Sequence, residues 1–61
     1  MVWAVDYDAE AQTLEIAFKR TGVYRNRGVP PEEYRRLMKS DSIGSYIRSC
    51  IIGAYREERL D

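Results

Sequence analysis

The proline pair Pro30-Pro31 divides the chain into two halves that must fold by different rules. Proline has no backbone N–H and a fixed φ, so it continues neither a central strand nor a helix interior, yet it suits the first turn of a helix. Upstream of the pair, apolar residues recur with a period of two. Thr13 to Lys19 is the clearest case, with Leu14, Ile16 and Phe18 on one side and Glu15, Ala17 and Lys19 on the other. That alternation marks a strand with one covered face. Val2 to Tyr7 reads the same way, Trp3, Val5 and Tyr7 alternating with Val2, Ala4 and Asp6, and Asp8 to Gln12 is a polar connection. Arg20-Thr21-Gly22 has the length and the glycine of a hairpin turn. Val23 to Arg27 is a third, weaker strand, ended by Gly28-Val29-Pro30.

Downstream the period becomes helical. Pro31 opens a helix, Glu32 and Glu33 complement the positive end of its dipole, and Tyr34, Leu37 and Met38 form a narrow apolar stripe. Ser40-Asp41-Ser42 is a break that carries an N-cap. Ile43, Tyr46, Ile47, Cys50, Ile51, Ala54 and Tyr55 then follow the 3.6-residue period, which predicts a second helix running to Tyr55. Cys50 falls on its stripe as a small core residue. Gly53, about 1 kcal/mol worse than alanine inside a helix, is expected at a close packing contact. The order β-β-β-α-α predicts an α+β fold, a three-stranded antiparallel meander followed by two helices packed on one face, forming one domain over residues 1–61.

The chain has 61 residues, one cysteine and no histidine. A core this small is worth roughly 3–5 kcal/mol net. Cys50 has no partner for an intramolecular disulfide, and a zinc site without histidine is unfavourable, so no metal or cofactor is expected. Self-association, as a homodimer or higher oligomer, is the remaining support. The single cysteine and the acidic start, with no positive n-region, imply a cytoplasmic protein rather than a secreted one, and no apolar run is long enough for a membrane. Without histidine the usual proton shuttle and nucleophile systems are missing. Asp6, Asp8 and Glu10 lack calcium-loop spacing, and the glycines match no phosphate loop. A non-enzymatic binding module is expected.

Formal net charge is zero, but the charges are unevenly placed. The first eighteen residues hold four acids and no base, whereas residues 19–56 hold nine bases against three acids. Eight of the ten bases are arginine, the side chain suited to bidentate contact with phosphate or carboxylate. With Tyr24 pointing inward, Arg25 and Arg27 point outward beside Lys19, which predicts a basic outer sheet face. Lys19, Tyr24, Arg25, Arg27, Arg35, Arg36 and Arg48 are the candidate nucleic-acid or anion contacts.

Laid out in this order, the segments resemble the KTSC domain, a module named for its place at the C-terminus of some lysyl-tRNA synthetases and also found alone in small bacterial and phage proteins. Tyr7-Asp8, Leu14-Glu-Ile16-Ala-Phe18, Gly22-Val-Tyr24 with Val29-Pro30, and Ser42-Ile-Gly44-Ser-Tyr46-Ile47 with Ile51 and Tyr55 carry the resemblance. Two positions depart from it. Asn26 stands where the family's Tyr-x-Tyr motif has its second tyrosine, and Ile52 where the late helix carries arginine. The resemblance implies RNA binding, through the attachment to a synthetase. In that reading Lys19, Arg25 and Arg27 grip phosphates of RNA or tRNA and Tyr24 stacks on a base. The alternative is a protein-interaction or homo-oligomeric module, one that could hold a small anion such as a nucleotide between subunits. Ile52, if exposed, favours it. Convergence of Arg25, Arg27, Arg35, Arg36 and Arg48 decides between the two, and scattered arginines favour protein binding.

Overall fold

The computed structural model describes residues 2–60. Its elements are β1 (Val2–Asp8), β2 (Thr13–Phe18), β3 (Gly22–Arg27), α1 (Pro31–Lys39), α2 (Ile43–Tyr46), a π-helical turn (Ile47–Ile51) and β4 (Arg56–Arg59). The four strands form one antiparallel sheet in the order β1-β2-β3-β4. The fold is α+β with an antiparallel sheet and two helical segments, and the expected three-strand meander gains a fourth strand.

Alternation in β2 does what its sequence predicts: Leu14 and Ile16 are buried and Phe18 packs beside them. Val29, Leu37, Ile47 and Ile51 complete the fully buried core, each such aliphatic side chain contributing about 1.5–3 kcal/mol. The turn after β1 is tied by Asp8, whose Oδ1 accepts from the N–H of Glu10 at 3.0 Å and of Ala11 at 3.2 Å. Its end is joined to the exit of β3, because the Val29 N–H donates to the Gln12 carbonyl at 2.9 Å. Gly28 reaches that position with φ 77°, in the left-handed region that glycine enters without steric cost. The Val29 carbonyl accepts the Tyr7 hydroxyl at 2.6 Å, and the Tyr7 ring stacks on Tyr34 of α1 with centroids 4.5 Å apart.

Pro30 caps α1, with Pro31 in its first turn. Ser42 caps α2, its side chain accepting from the Ser45 N–H at 3.3 Å. Five expectations fail from this point or beside it. The helix stops at Ile51 rather than Tyr55, and Gly53 is a turn residue with φ 86° whose Cβ position is open, not a packing contact. The wide π turn, closed by the Ile52 N–H to the Ile47 carbonyl at 2.8 Å, keeps Ile47 and Ile51 on the buried side. Cys50 therefore swings out and is exposed. Met38 lies beyond the edge of the α1 stripe and is 40% exposed. In β1, a register shift between Val2 and Ala4 puts Val2 against the core and leaves Trp3 73% exposed.

Asn26 lies on the covered face, fully buried, and neither side-chain polar atom has a hydrogen-bond partner among the described residues. An unsatisfied buried amide costs about 1–3 kcal/mol. Asn26→Leu is therefore expected to raise stability by about 1 kcal/mol in urea denaturation, and Asn26→Asp to lower it by more than that. A loss on Asn26→Leu would mean that the amide makes bonds in solution.

Candidate functional site

At the end of the sheet away from the Val29 junction, the inner face is not fully covered. Val2, Phe18 and Tyr24 from three neighbouring strands form a floor, and Gly44 and Ile52 form the helical wall of a trough of about 370 Å³. Gly44 leaves room here, since even an alanine Cβ would only touch Val2 at 4.0 Å. Arg20 and Thr21 from the β2–β3 turn, Arg48 from the π turn and Glu57 from β4 stand around the rim. A second hollow continues past Val2, Gly44 and Arg48 to the exposed Trp3.

Tyr24 is fixed in this floor from three sides. Phe18 meets it edge-on with centroids 5.7 Å apart, its hydroxyl donates to the Thr21 carbonyl at 3.2 Å, and the Arg59 guanidinium lies 5.9 Å from its ring centroid. Arg20 and Arg48 are exposed and have no acidic partner among the described residues. An apolar floor, an aromatic edge and two unpaired guanidinium groups can hold a ligand that carries an apolar or flat group beside an anion.

The candidate residues named from the sequence do not gather in one place. Tyr24 and Arg48 reach the trough. Arg25 lies on the uncovered sheet face, where its Nη2 is 3.0 Å from Glu15 and its Nη1 3.3 Å from Glu58. Arg27 lies beside it, its Nη2 2.7 Å from Glu58. These contacts hold the Arg25 guanidinium above its ordinary pKa, chiefly through its bond to Glu15, and hold the Glu58 carboxyl below its own, chiefly through Arg27. The uncovered face also carries Asp6 and Asp8, so it is charge-balanced rather than basic. Lys19 and Arg35 are exposed elsewhere, and Arg36 sits 3.4 Å from Glu33. Sequence reasoning missed Arg20 and Arg59. Arg20 carried a signal, its place next to the glycine turn, whereas Arg59 depended on a strand that no periodicity announced.

Glu33 is a further polar group that the sequence placed only at a helix end. It is 8% exposed and accepts from the Tyr46 hydroxyl at 3.1 Å. This cluster is closed and structural. Among the described residues no group of acids or thiols could hold a metal ion, and no helix is long and apolar enough to cross a membrane. Burial, followed by Glu33, raises the Tyr46 and Tyr55 hydroxyl pKa values, and burial, followed by Asp8, raises that of Tyr7. Folded pKa values above the unfolded value of about 10 mean that this stabilisation is intact below that pH and is lost as pH rises through the raised values. Ultraviolet titration of tyrosinate alongside circular dichroism is expected to show unfolding that begins above pH ~10. Tyrosine ionisation complete at that pH, with no loss of structure, would contradict the raised values.

A family model for the KTSC domain matches residues 1–55. An uncharacterised protein of Stutzerimonas stutzeri is 36% identical over 59 residues, which covers 95% of this chain and 83% of that protein. The crystal structure of a KTSC domain protein from Yersinia pestis superposes with a TM-score of 0.95 at 27% identity, covering 98% of this chain and 84% of the other.

Proposed function

The chain belongs to the KTSC domain family, and from that premise we propose that it is a non-enzymatic protein-interaction module whose trough docks an acidic, apolar-anchored segment of a partner protein. The observation that carries this reading is the pair Arg20 and Arg48, unpaired among the described residues, at the rim of a trough lined by Val2, Phe18, Tyr24 and Ile52. Ile52 is 43% exposed at the position where the family carries arginine, so this chain offers apolar surface where a phosphate contact would otherwise stand. The arginines that were to decide between nucleic acid and protein lie on three separate surfaces, and two of them are already held by carboxylates on the sheet. Interfaces draw most of their affinity from a buried anchor flanked by arginine or aromatic contacts, and the trough supplies both.

Nucleic acid is the second reading, favoured by the Tyr24 ring edge beside the two guanidinium groups. It makes a different demand on salt. Two phosphate contacts on a single strand give a log–log slope of only about −1.4, so steep salt dependence would need cations outside the trough.

Selection from a random-peptide display library is expected to enrich sequences that pair an acidic residue with an aromatic or aliphatic one. Binding of the enriched peptides should fall at least about tenfold, or about 1.4 kcal/mol, in Arg48→Glu and in Ile52→Asp. Failure to enrich any such peptide, together with tight and steeply salt-dependent binding of a single-stranded oligonucleotide, would replace this reading with the nucleic-acid one.

A further inference from the structure

Helices cover one face of the sheet; the other face is uncovered, and its side chains fall into three rows. Register places Asp8, Thr13, Arg27 and Arg56 in the first row and Asp6, Glu15, Arg25 and Glu58 in the second. The third row holds Ala4, Ala17 and Val23, extended by Leu60, whose N–H donates to the Val23 carbonyl at 2.9 Å. Across each row the strands run from β1 to β4, so acids stand at the β1 side of the charged rows and arginine at the β4 side of the first. Leu60 is 41% exposed at the β4 end of the apolar row, opposite the small Ala4.

We infer that this face is a self-complementary docking surface for a second copy of the chain, related by a two-fold axis running along the strands between β2 and β3. Such an axis lays β1 over the partner's β4 and β2 over its β3, and keeps each row at its own level. Ala4 then meets the large Leu60 and Ala17 meets Val23, small against large. Asp8 meets Arg56, and Glu15 meets Arg25. One juxtaposition is unfavourable, Asp6 against Glu58, and it is softened because Glu58 is already held by Arg25 and Arg27. A two-fold axis across the strands would instead set the charged first row on the apolar third row, desolvating Asp8 and Arg56 without partners.

The sheet edges leave this face as the available route for association of the sheet. β1 carries its register shift near the edge, and β4 is four charged residues long, two devices that discourage edge-to-edge pairing. Strand spacing and rise give a patch of roughly 400 Å² per copy. Twice that area lies at the small end of protein interfaces, where complexes are weak and transient. The inferred dimer is therefore a weak one that forms when copies are concentrated or tethered. It is independent of the trough, which opens on the other face.

Sedimentation equilibrium of the full chain tests this at low ionic strength, where surface charges are least screened. A monomer–dimer equilibrium in the high-micromolar range is expected. Asp8→Arg and Arg56→Asp should each weaken it about fivefold, about 1 kcal/mol, whereas the double variant restores it. Asp6→Ser should tighten it by removing the one repulsion, and Ile52→Asp should leave it unchanged. Circular dichroism of each variant separates misfolding from lost association, and Asp6→Ser, which removes no ion pair, keeps the test decisive if the reversals fail to fold. A chain that stays monomeric at millimolar concentration overturns the inference. So does a dimer indifferent to Asp8, Arg56 and Asp6, or one broken by Ile52→Asp.

Discussion

One side chain, Tyr7, holds the two halves of this fold together. Its hydroxyl bonds the Val29 carbonyl and its ring stacks on Tyr34, so a residue of the first strand fixes both the end of the last central strand and the start of the first helix. Val29 is itself fully buried and its N–H is bound to the end of the β1–β2 connection. The direction of α1 follows from that clamp, because Pro30 can only begin the helix where Val29 leaves it. Leu37 then enters the core, Ser42 caps the next helical segment, and Ile47 and Ile51 close the layer. A domain this small has too few apolar residues to specify its chain path by core volume alone. A short hydrogen bond and an aromatic stack at the junction supply the missing definition.

What the sequence announced and what it concealed divide along physical lines. The period of β2, the proline at the start of α1 and the serine cap of α2 are local signals, and local structure obeys them. The uncovered face could also be assigned from parity, which put Arg25 and Arg27 there correctly. β4 escaped because Arg-Glu-Glu-Arg has no apolar alternation. Its pairing is backbone to β3, aided by Glu58 between two arginines, and that is long-range information. The end of the second helix escaped because Cys50, Ala54 and Tyr55 fit a 3.6-residue period that the π turn breaks. Trp3 does not share a face with Val5 and Tyr7, as simple alternation grouped it, because a single extra residue in a strand reverses every parity before it.

The same distinction governs the candidate site. Tyr24 and Arg48 were legible as residue types, but their neighbours in the trough come from opposite ends of the chain, Val2 and Glu57 among them. Charge alone did not show pairing: the arginines nearest Tyr24 in sequence, Arg25 and Arg27, are engaged by Glu15 and Glu58. An arginine in an ion pair has already given up part of what makes it a binding group, so the functional distinction is between paired and unpaired guanidinium groups rather than between basic and neutral segments. On that criterion the trough at the sheet's inner end, with Arg20 and Arg48 at its rim, is the place proposed for an acidic partner segment.

Residue-resolved NMR of the chain titrated with a short acidic, aromatic peptide distinguishes the trough from the outer sheet face. Amide shifts are expected at Thr21, Tyr24, Gly44, Arg48 and Ile52, with Glu15, Arg25 and Arg27 unmoved. Shifts concentrated on Glu15, Arg25 and Arg27, with the trough residues still, would contradict it.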